Sequence, residues 1–353
     1  MRPLINTAKN AIEKSRNYLY HRERNQTAMN VLKTVEIEKG NLDPKIKNLC
    51  IDYANDVLGS KKYAPWLFVY SAFQREFKEG WIPDNYYGEV VIPNINGQYG
   101  FLSERNAILN KLLKVSDSLD ICFYVNGLFF AIDLEIIKEN ELKNFLFQEN
   151  KKIVYKLENT QRGEGIYFFD ENSFNISLIK KLGNGVFQSY IQQHSFFSKF
   201  SESSVATIRF TSTCDDFGSI DVKSSYLRFG SDQDTHVRSD SAIKIPIHLK
   251  SGKLYDNAFF PDYKSTKNLP GNKFSFAGEE LPQFDKCLKE VKKMHSNIPV
   301  IRCIGWDIII DNNNNVKLIE INGRHSAMKF SEMIHGPCFK GLNWEKLNKN
   351  IKN

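Results

Sequence analysis

The amino-acid sequence predicts an α+β fold in which a helical N-terminal region precedes a mostly antiparallel sheet. Two observations carry this prediction. Residues 1–80 place apolar side chains at helical spacing, as in NLCIDYANDVLG and WLFVYSAFQREF. From about Leu119, short aromatic and β-branched runs alternate with turn residues, and one later stretch, LPQFDKCLKEVKKMHS, has a helical pattern. A run of helices followed by a run of strands is typical of the α+β class.

Length and patterning divide the chain into three predicted parts. A chain of 353 residues favours two or three associated lobes over a single one. We predict a helical N-terminal region over residues 1–103, a small strand-rich lobe over 104–190 and a larger sheet lobe over 191–353. Residues 81–102 are predicted to be loop-rich. Ser103 precedes a leucine-spaced run and is the predicted start of the helix that opens the small lobe.

The strands are predicted from apolar runs that turn residues separate. In the small lobe they are ICFYV, LFFAIDL, KIVYKL, IYFF and VFQSYI, with an Asn126-Gly127 turn between the first two. In the larger lobe they are SSVATIRFTST, SSYLRFG, AIKIPIHL, CIGWDIIID and VKLIEIN. Such short runs joined by turns predict antiparallel pairing.

The composition limits the classes of partner. The formal charge is +7, and the 48 basic residues are spread along the chain. This balance suits a polyanionic substrate such as a nucleotide, or a peripheral contact with an acidic membrane surface, and does not indicate nucleic acid. A basic helix within residues 1–35 could rest on anionic lipid, although a solvated helix face is the favoured interpretation. The polar N-terminus and the lack of a stretch of roughly 20 apolar residues predict a cytoplasmic protein.

The most informative segment is GWDIIIDNNNNVKLIEIN, near the C-terminus. Its four asparagines suit a tight loop and the apolar runs on either side have strand character, so we predict a hairpin. If Asp311 closes the loop against Val316, the register places Asp307 directly opposite Glu320. Because side chains alternate along a strand, Asn322 lies on the same face as Glu320.

Two carboxylates that face each other across a sheet repel, and a hard cation would remove that cost. Two carboxylate groups and an amide oxygen make a partial shell for Mg²⁺, which keeps its other positions for water and phosphate oxygens. The alternative is that the carboxylates lie on a wet face or pair with arginines, the candidates being Arg209, Arg228 and Arg324. For the hairpin alone the alternative is favoured, and the neighbouring motifs reverse that preference.

A second segment, KKIVYKLENTQRGEGIYFF, joins a strand lysine to a glycine loop. Lys156 lies on the strand, and Gly163 and Gly165 follow it. A lysine ammonium is a point charge for phosphate, and glycines let backbone N–H groups approach phosphate oxygens. Two glycines between strands are also typical of an ordinary hairpin. The chain contains neither GxxxxGK[ST] nor GxGxxG, which excludes the P-loop and Rossmann modes of phosphate binding.

Polar residues on the next strands are further candidates. Gln188 could address an adenine edge through its amide, although Gln188 and His194 are equally compatible with ordinary surface positions. Arginine within an apolar strand pattern, as at Arg209 and Arg228, indicates an anionic partner, which could be Glu320. Arg209 could also hold a phosphoryl group or a carboxylate through two parallel hydrogen bonds. No Ser/His/Asp or Cys/His spacing indicates a nucleophile.

The order of these parts resembles the ATP-grasp superfamily: a strand lysine with a glycine loop, a hinge, an arginine strand, and a terminal Asp…Glu-x-Asn hairpin. More narrowly, it resembles the sugar-transfer-associated ATP-grasp proteins encoded among polysaccharide genes. The stretches that carry the resemblance are KIVYKLENTQRGEGIYFF, VFQSYIQQHSFFSKFSESSVATIRFTST and IGWDIIIDNNNNVKLIEINGR, with weaker support from WIPDNYYGEVVIP. The resemblance covers roughly residues 80–340. It implies a nucleotide held between a small strand-rich lid lobe and a larger, mostly antiparallel C-terminal sheet lobe.

The resemblance also implies a role for each matching position. Lys156 would touch the α/β-phosphates of ATP, and the loop of Gly163 and Gly165 would cover them. The implied adenine hinge comprises Gln188, Tyr190 and Ile191. The implied magnesium ligands, with Mn²⁺ as an alternative ion, are Asp307, Glu320 and Asn322. Arg209 would sit at the reacting phosphate, and the further catalytic cations are Arg228 and Arg324.

Three positions depart from the family pattern. Arg105 stands where many ATP-grasp enzymes have an early lysine that binds the nucleotide. Gln188-Ser189 stands where an acidic hinge residue is common, so adenine contacts would depend on the backbone. The stretch THVRSDSAI is unlike that of relatives, which makes the acceptor pocket the least transferable part.

Three functional hypotheses follow from the resemblance. The favoured one is a carboxylate–amine ligase that forms an amide through an acyl phosphate. Its substrates would be ATP, an amine, and a sugar uronic acid or amino-acid component of a surface polysaccharide such as capsule. The second hypothesis is an ATP-grasp phosphotransferase, which would act on a hydroxyl. The third is a non-catalytic nucleotide-binding partner of glycosyltransferases. Family analogy alone does not select a substrate.

Overall fold

The structure is a computed structural model that describes residues 2–115, 118–158, 160, 164–200, 205–230, 241–269 and 274–350. The helices are α1 (Arg2–Lys39), α2 (Pro44–Asp56), α3 (Ala64–Gln74), α4 (Asp84–Tyr86), α5 (Ile92–Ile95), α6 (Asn106–Leu113), α7 (Glu139–Phe147), α8 (Ile176–Leu182), α9 (Ser195–Ser198), α10 (Phe284–Asn297), α11 (Lys329–His335) and α12 (Leu347–Asn350). A π-helix spans Tyr87–Val91, and 3-10 helices span Lys61–Tyr63, Gly97–Glu104 and Trp344–Lys346.

The strands are β1 (Asp120–Val125), β2 (Leu128–Ala131), β3 (Ile136–Ile137), β4 (Lys152–Leu157), β5 (Ile166–Asp170), β6 (Gly185–Ser189), β7 (Thr207–Cys214), β8 (Ile220–Phe229), β9 (Ile243–Pro246), β10 (Ala258–Phe259), β11 (Ser265–Thr266), β12 (Cys303–Ile310) and β13 (Val316–Asn322). Every pair of neighbouring strands in the described ranges is antiparallel. Helices and antiparallel sheets in separate regions confirm the predicted α+β class.

The chain forms two compact units. Unit 1 comprises Met1–Gly97, Asp262–Lys264 and Ala327–Asn353, and unit 2 comprises Gln98–Pro261 and Ser265–Ser326. The sequence-based boundary at residue 103 lies close to the first division. The C-terminal segment differs from the prediction, because the sequence places it with the larger lobe whereas it packs with the N-terminal helices.

Unit 1 is helical and is built around α3, whose side chains are buried on nearly all sides. Gln74 Nε2 donates to the carbonyl oxygens of Met333 and Ile334, both at 2.8 Å, which ties α11 to the end of α3. The buried Glu332 carboxyl group accepts backbone N–H bonds from Ile82 at 2.9 Å and Cys338 at 2.8 Å. These bonds explain why the C-terminal segment belongs here. Among the helices the structure describes, none has the length and apolar character needed to span a bilayer.

Unit 2 contains two sheets. The first, which we call the lid sheet, has six strands from residues 120–189 in the order β3-β2-β1-β6-β4-β5. Its inner face packs on α7 and α8 through a core that includes Tyr155, Phe187 and Leu142. The hairpin from β1 to β2 turns at Asn126 and Gly127, whose φ angles of 51° and 91° are left-handed, as the Asn-Gly turn predicts.

The second sheet, which we call the large sheet, has seven strands in the order β11-β10-β9-β8-β7-β12-β13. Helix α10 covers it because its apolar side chains, Phe284, Cys287, Val291 and Met294, recur at helical spacing and are buried. Strands β7 and β12 are buried along their whole length and lie side by side, with β13 at the edge of the sheet. The terminal hairpin of β12 and β13 is therefore joined to the sheet through a fully buried strand.

Several local predictions were wrong. Helix α6 begins at Asn106, because the Ser103 hydroxyl donates back to the carbonyl of Gly100 at 2.7 Å instead of capping a forward helix. The region predicted as loop-rich contains α4, α5 and the π-helix. Strand β6 ends at Ser189, before Tyr190. The two-residue strands β3, β10 and β11 have too few residues to show a period.

Candidate active site

The terminal hairpin places Asp307 opposite Glu320, as the sequence predicts, but the register near the loop differs from the predicted one. The backbone N–H of Asp311 bonds to Asn315, one residue earlier than predicted, and the same register pairs Ile308 with Leu318. A β-bulge then shifts the pairing by one residue before it reaches Asp307. The one-residue difference at the loop and the one-residue shift at the bulge cancel, so Asp307 still faces Glu320. Bulges that re-aim a side chain are common beside functional sites.

Asp307 is bound by two arginines from neighbouring strands of the large sheet. Arg209 on β7 donates from Nε to Oδ1 at 2.5 Å and from Nη2 to Oδ2 at 2.9 Å. Arg228 on β8 donates from Nη2 to Oδ2 at 2.7 Å. Burial alone would raise the pKa of Asp307, but the two guanidinium groups hold it well below its usual range. The anionic partner that the sequence suggested as Glu320 is thus Asp307.

Glu320 differs from Asp307 in its exposure and in the direction of its pKa shift. Its side chain is open to solvent although many protein atoms surround it. Burial among those atoms and the neighbouring Asp307 charge raise its pKa. The two carboxyl groups interact directly, and the charge of Asp307 is one of the causes that raise the pKa of Glu320. Asn322 follows on the same face, and among the described residues its amide nitrogen has no hydrogen-bond partner although it is sealed from solvent.

These residues fit a magnesium ion. Asp307 accepts two bonds on Oδ2 and one on Oδ1, which leaves one lone pair on Oδ1. Glu320 has a carboxylate that needs a positive neighbour, and Asn322 has an amide oxygen that can ligate a cation, whereas its unpartnered atom, Nδ2, is a hydrogen-bond donor and cannot. All three side chains offer oxygen ligands of the kind that Mg²⁺ prefers. The hairpin therefore offers Glu320 and Asn322 as open ligands, with Asp307 held behind them by the two arginines.

Lys156 on the lid sheet approaches this hairpin from a different part of unit 2. Burial lowers the pKa of its ammonium group. Three carboxylates oppose that shift, in decreasing order Glu320, Asp120 and Asp307. Lys156 and the terminal hairpin, which are far apart in sequence, are therefore neighbours in space.

The glycine loop lies partly outside the described residues. Gly163 is among the residues that the structure does not describe. Gly165 has a φ of 69°, and a Cβ there would lie 2.8 Å from Thr160 Cγ2 and 3.1 Å from Leu157 Cβ. Its carbonyl accepts the backbone N–H of Leu157 at 3.0 Å, which starts the β4–β5 pairing. Gly165 is therefore required by the turn itself, whatever else the loop does.

The predicted hinge residues occupy different environments. Gln188 is 5% exposed, and its amide nitrogen donates to Asp120 Oδ1 at 2.7 Å. Tyr190 is exposed and stands edge-on to Phe168 at 6.2 Å between ring centroids. Ile191 is half-buried. The amide of Gln188 is thus not a free surface group.

Two predicted cations have partners away from Asp307. Arg324 is exposed, donates to Glu104 Oε1 at 2.8 Å and lies 4.2 Å from the ring centroid of Phe101. Arg105 is exposed at the N-cap of α6, where it lowers the pKa of Glu158 against a larger rise that burial causes. The structure joins Arg209 and Arg228 to the hairpin carboxylates and places Arg324 in a different ion pair.

Sequence reasoning missed Asp120, which binds Gln188 and is also a neighbour of Lys156. Its other oxygen, Oδ2, accepts from Asn110 Nδ2 at 2.9 Å. Burial raises the pKa of Asp120, while the Gln188 and Asn110 amides and the Lys156 charge oppose the rise. The available signal was an aspartate that opens an otherwise apolar strand, DICFYV.

A strand lysine whose charge interacts with a terminal Asp…Glu-x-Asn hairpin, in a chain with two antiparallel sheets, is the arrangement that the resemblance to ATP-grasp proteins implies. The family model described as sugar-transfer associated ATP-grasp matches residues 97–346, and the chain belongs to this family. No curated protein matches the sequence significantly. The family match and the fold agree with the resemblance that the sequence motifs carry.

Several solved structures are similar to this chain at low sequence identity. The chain is 13% identical to N5-carboxyaminoimidazole synthetase from Staphylococcus aureus complexed with ADP, with a TM-score of 0.36, covering 62% of this chain and 44% of that one. It is 12% identical to the ATP-grasp ligase PsnB complexed with a minimal precursor, with a TM-score of 0.42 and coverage of 71% and 64%. The biotin carboxylase domain of Hydrogenobacter thermophilus 2-oxoglutarate carboxylase, in complex with MgADP, ADP and bicarbonate, is 13% identical, with a TM-score of 0.45 and coverage of 88% and 68%. The chain covers less than two thirds of the first two structures.

Proposed function

We propose that this chain is an ATP- and magnesium-dependent carboxylate–amine ligase. The observation that carries the proposal is the approach of Lys156 on the lid sheet to Glu320 on the terminal hairpin, in a chain of the ATP-grasp family. An ammonium binds phosphate oxygens, and a carboxylate with an adjacent amide binds a hard cation. A nucleotide triphosphate with its magnesium ion satisfies both groups at once.

The reaction proceeds in two steps that need no protein nucleophile. A carboxylate oxygen of the substrate attacks the γ-phosphorus of ATP, and ADP leaves as an acyl phosphate forms. The amine nitrogen then attacks the acyl carbon, phosphate leaves, and the nitrogen loses a proton to give the amide. The roles of the chain are to position the reactants and to place fixed charge around the transferred group.

The residues divide these roles between them. Lys156 holds phosphate oxygens from the lid sheet. Arg209 and Arg228 place positive charge beside the hairpin, and Asp307 fixes their orientation by accepting three of their N–H bonds. The magnesium ion, held by Glu320 and Asn322 with Asp307 adjacent, would neutralise phosphate charge.

The finer assignment concerns the substrates. The family description, sugar-transfer associated, supports a carboxylate on a sugar, such as a uronic acid, or on an amino acid attached to one. The amide would then modify a component of a surface polysaccharide, and glycosyltransferases would be the partners that supply or receive it. Mn²⁺ would serve in place of Mg²⁺, since it accepts the same oxygen ligands.

The test is ATP turnover with purified protein, Mg²⁺ and panels of sugar carboxylates and amines. A ligase releases ADP and phosphate only when both a carboxylate and an amine are present. Turnover with a hydroxyl compound alone, giving a phosphorylated product, would identify a phosphotransferase instead. Magnesium–ATP binding without turnover, together with cellular function that survives Glu320→Ala, would identify a non-catalytic partner of glycosyltransferases.

Variants test the site separately from the substrate. Lys156→Gln and Glu320→Gln should each weaken binding of a nonhydrolysable ATP analogue in the presence of Mg²⁺ by roughly tenfold or more, the scale of one charge-assisted bond. Lys181→Gln, at an exposed position on α8 of the same lobe, is the matched control and should bind normally. Normal nucleotide binding by both site variants would contradict the site.

A further inference from the structure

A group of uncovered apolar side chains lies on unit 2, and we call it the lid-edge patch. Its members come from α6 and from the turn and strand that follow β2, and each is between 38% and 64% exposed: Ile108, Leu112, Ile132, Leu134 and Ile136. Lys111 Nζ, on the exposed face of α6, lies 3.5 Å from the carbonyl oxygen of Asp133 in the turn, so the two segments are neighbours. Single apolar residues are normal on a surface, whereas a contiguous group of them marks an interaction site.

The backbone holds one member of the patch, Leu134, in an unfavourable conformation. Its φ of 75° is left-handed, which a bulky side chain rarely adopts. Two backbone bonds of 2.9 Å fix this turn, one from the Ala131 N–H to the Glu135 carbonyl and one from the Leu134 N–H to the Ala131 carbonyl. A glycine would adopt the same turn without strain. Because strained residues concentrate at functional sites, an exposed leucine here indicates a contact outside the single chain.

The charges within the patch favour a second copy of this chain as the occupant. Glu135 lies between Leu134 and Ile136, and Lys111 lies beside Leu112. Both charged side chains are exposed, and in the part of the chain that the structure describes neither forms an ion pair. A surface that meets its own copy across a two-fold axis must be complementary to itself, and one acid with one base meets that requirement. An anionic lipid surface would instead select basic residues alone.

We infer that two copies of this chain associate through the lid-edge patch about a two-fold axis. The apolar side chains of one copy pack against those of the other, and Glu135 of each copy faces Lys111 of the other in two equivalent ion pairs. The strand β3, which carries Ile136, is the last in the order of the lid sheet, so no further strand of that sheet covers it on the outer side. The association uses none of the residues of the proposed ATP site and is independent of the proposed function.

The first test is sedimentation velocity on the full chain over a series of concentrations. The wild type should show an equilibrium of monomer and dimer. Ile136→Lys should raise the dissociation constant about a hundredfold, because a two-fold interface carries each substitution twice and so loses two apolar side chains. Phe217→Lys is the matched control, at an exposed apolar position in the loop between β7 and β8 of the large sheet, and it should associate as the wild type does.

Leu134→Gly separates the contact from the fold. The variant relieves the left-handed leucine, so its urea midpoint, measured at a concentration where the chain is monomeric, should stay the same or rise. Its dissociation constant should rise about tenfold or more, since two leucine side chains leave the interface. A leucine that serves only the fold would give the reverse, a lower midpoint with an unchanged dissociation constant, and that result would contradict the inference.

A charge exchange tests the arrangement of the two copies. Glu135→Lys and Lys111→Glu each set like charges against each other twice, so each variant alone should associate more weakly than the wild type. In an equal mixture of the two variants every lysine faces a glutamate, and the mixed dimer should form with nearly the wild-type affinity. A structural defect in either variant would persist in the mixture, so recovery identifies facing charges.

The outcomes decide the inference in either direction. A wild-type chain that stays monomeric over the whole series overturns it, as does a dimer that Ile136→Lys leaves intact. Association that the mixture does not recover overturns the two-fold arrangement. All the substituted positions are exposed, so the variants should fold, which circular dichroism checks. If Ile136→Lys does not fold, Leu134→Gly and the mixture decide.

Discussion

Asp307 and Glu320 face each other across one hairpin, yet their removal should have opposite effects on stability. Asp307→Asn leaves two buried guanidinium groups, those of Arg209 and Arg228, without their anion. Breaking a buried ion pair from one side costs about 3–5 kcal/mol of unfolding free energy. At about 2–4 °C per kcal/mol, the Tm should fall by roughly 10 °C.

Glu320→Gln removes the charge that repels Asp307. The variant should be as stable as the wild type or more stable, by up to about 1 kcal/mol, the scale of a like-charge pair on a sheet. Both substitutions preserve side-chain shape, so the contrast reports charge alone. It should be measured by thermal unfolding with a chelator present, so that no cation compensates either carboxylate.

A matched control is Asp221→Asn on β8, an exposed carboxylate that lies 3.1 Å from Lys223 and 3.4 Å from Lys292. Surface ion pairs of this kind contribute about 0.2–1 kcal/mol, so its Tm should hardly change. If Glu320→Gln lowered the Tm as far as Asp307→Asn, both carboxylates would be structural ion-pair partners. The assignment of Glu320 as an open metal ligand would then be refuted.

Three further predictions concern the fold. Gly185→Ala places a methyl group against the backbone of β4 and should cost about 1–3 kcal/mol, measured by urea unfolding, whereas an unchanged midpoint would contradict that packing. Burial raises the pKa of Glu332 to about 8 from an ordinary 4.5, so the folded state keeps a proton that the unfolded chain loses. Unfolding free energy should therefore fall between about pH 5 and pH 8, by on the order of 1 kcal/mol per unit, and Glu332→Gln should flatten that slope in urea titrations. Ser212→Ala leaves the indole N–H of Trp306 without its acceptor and should cost about 1–3 kcal/mol by fluorescence-monitored unfolding. Ser225→Ala, at an equally buried position whose hydroxyl is unpartnered within the described chain, should be neutral, and equal losses would contradict the hydrogen-bond account.

The sequence predicted the fold and the pairing of Asp307 with Glu320 because both depend on local patterns. Helical spacing, strand runs and the asparagine loop are each legible within a few residues, and together they place Asp307 against Glu320. The predicted closing pair, Asp311 with Val316, was wrong by one residue, and the bulge after Asp307 restored the outcome. A bulge is set by packing on both sides of a strand, which a linear pattern does not record.

The unpredicted parts depend on contacts between distant segments. Asp120 meets Gln188 across 68 positions of sequence, and only the sheet order brings β1 beside β6. The pairing of Arg209 with Asp307, across 98 positions, has the same origin. Charged residues in strands indicate that some partner exists. Which partner it is follows from strand order, and a single sequence does not carry that order.

The position of Arg324 has a consequence for how unit 2 is closed. The chain enters this unit at Gln98 and finally leaves it at Ser326. Near these ends, Arg324 pairs with Glu104 and lies over Phe101, and a Cβ on Gly323 would come within 2.9 Å of the Gly100 carbonyl. Arg324 thus links the segment where the chain enters unit 2 to the segment where the chain leaves it. Unit 2 has the layout of an inserted domain, so residues 98–326 could be expressed as one continuous piece whose two ends lie close together.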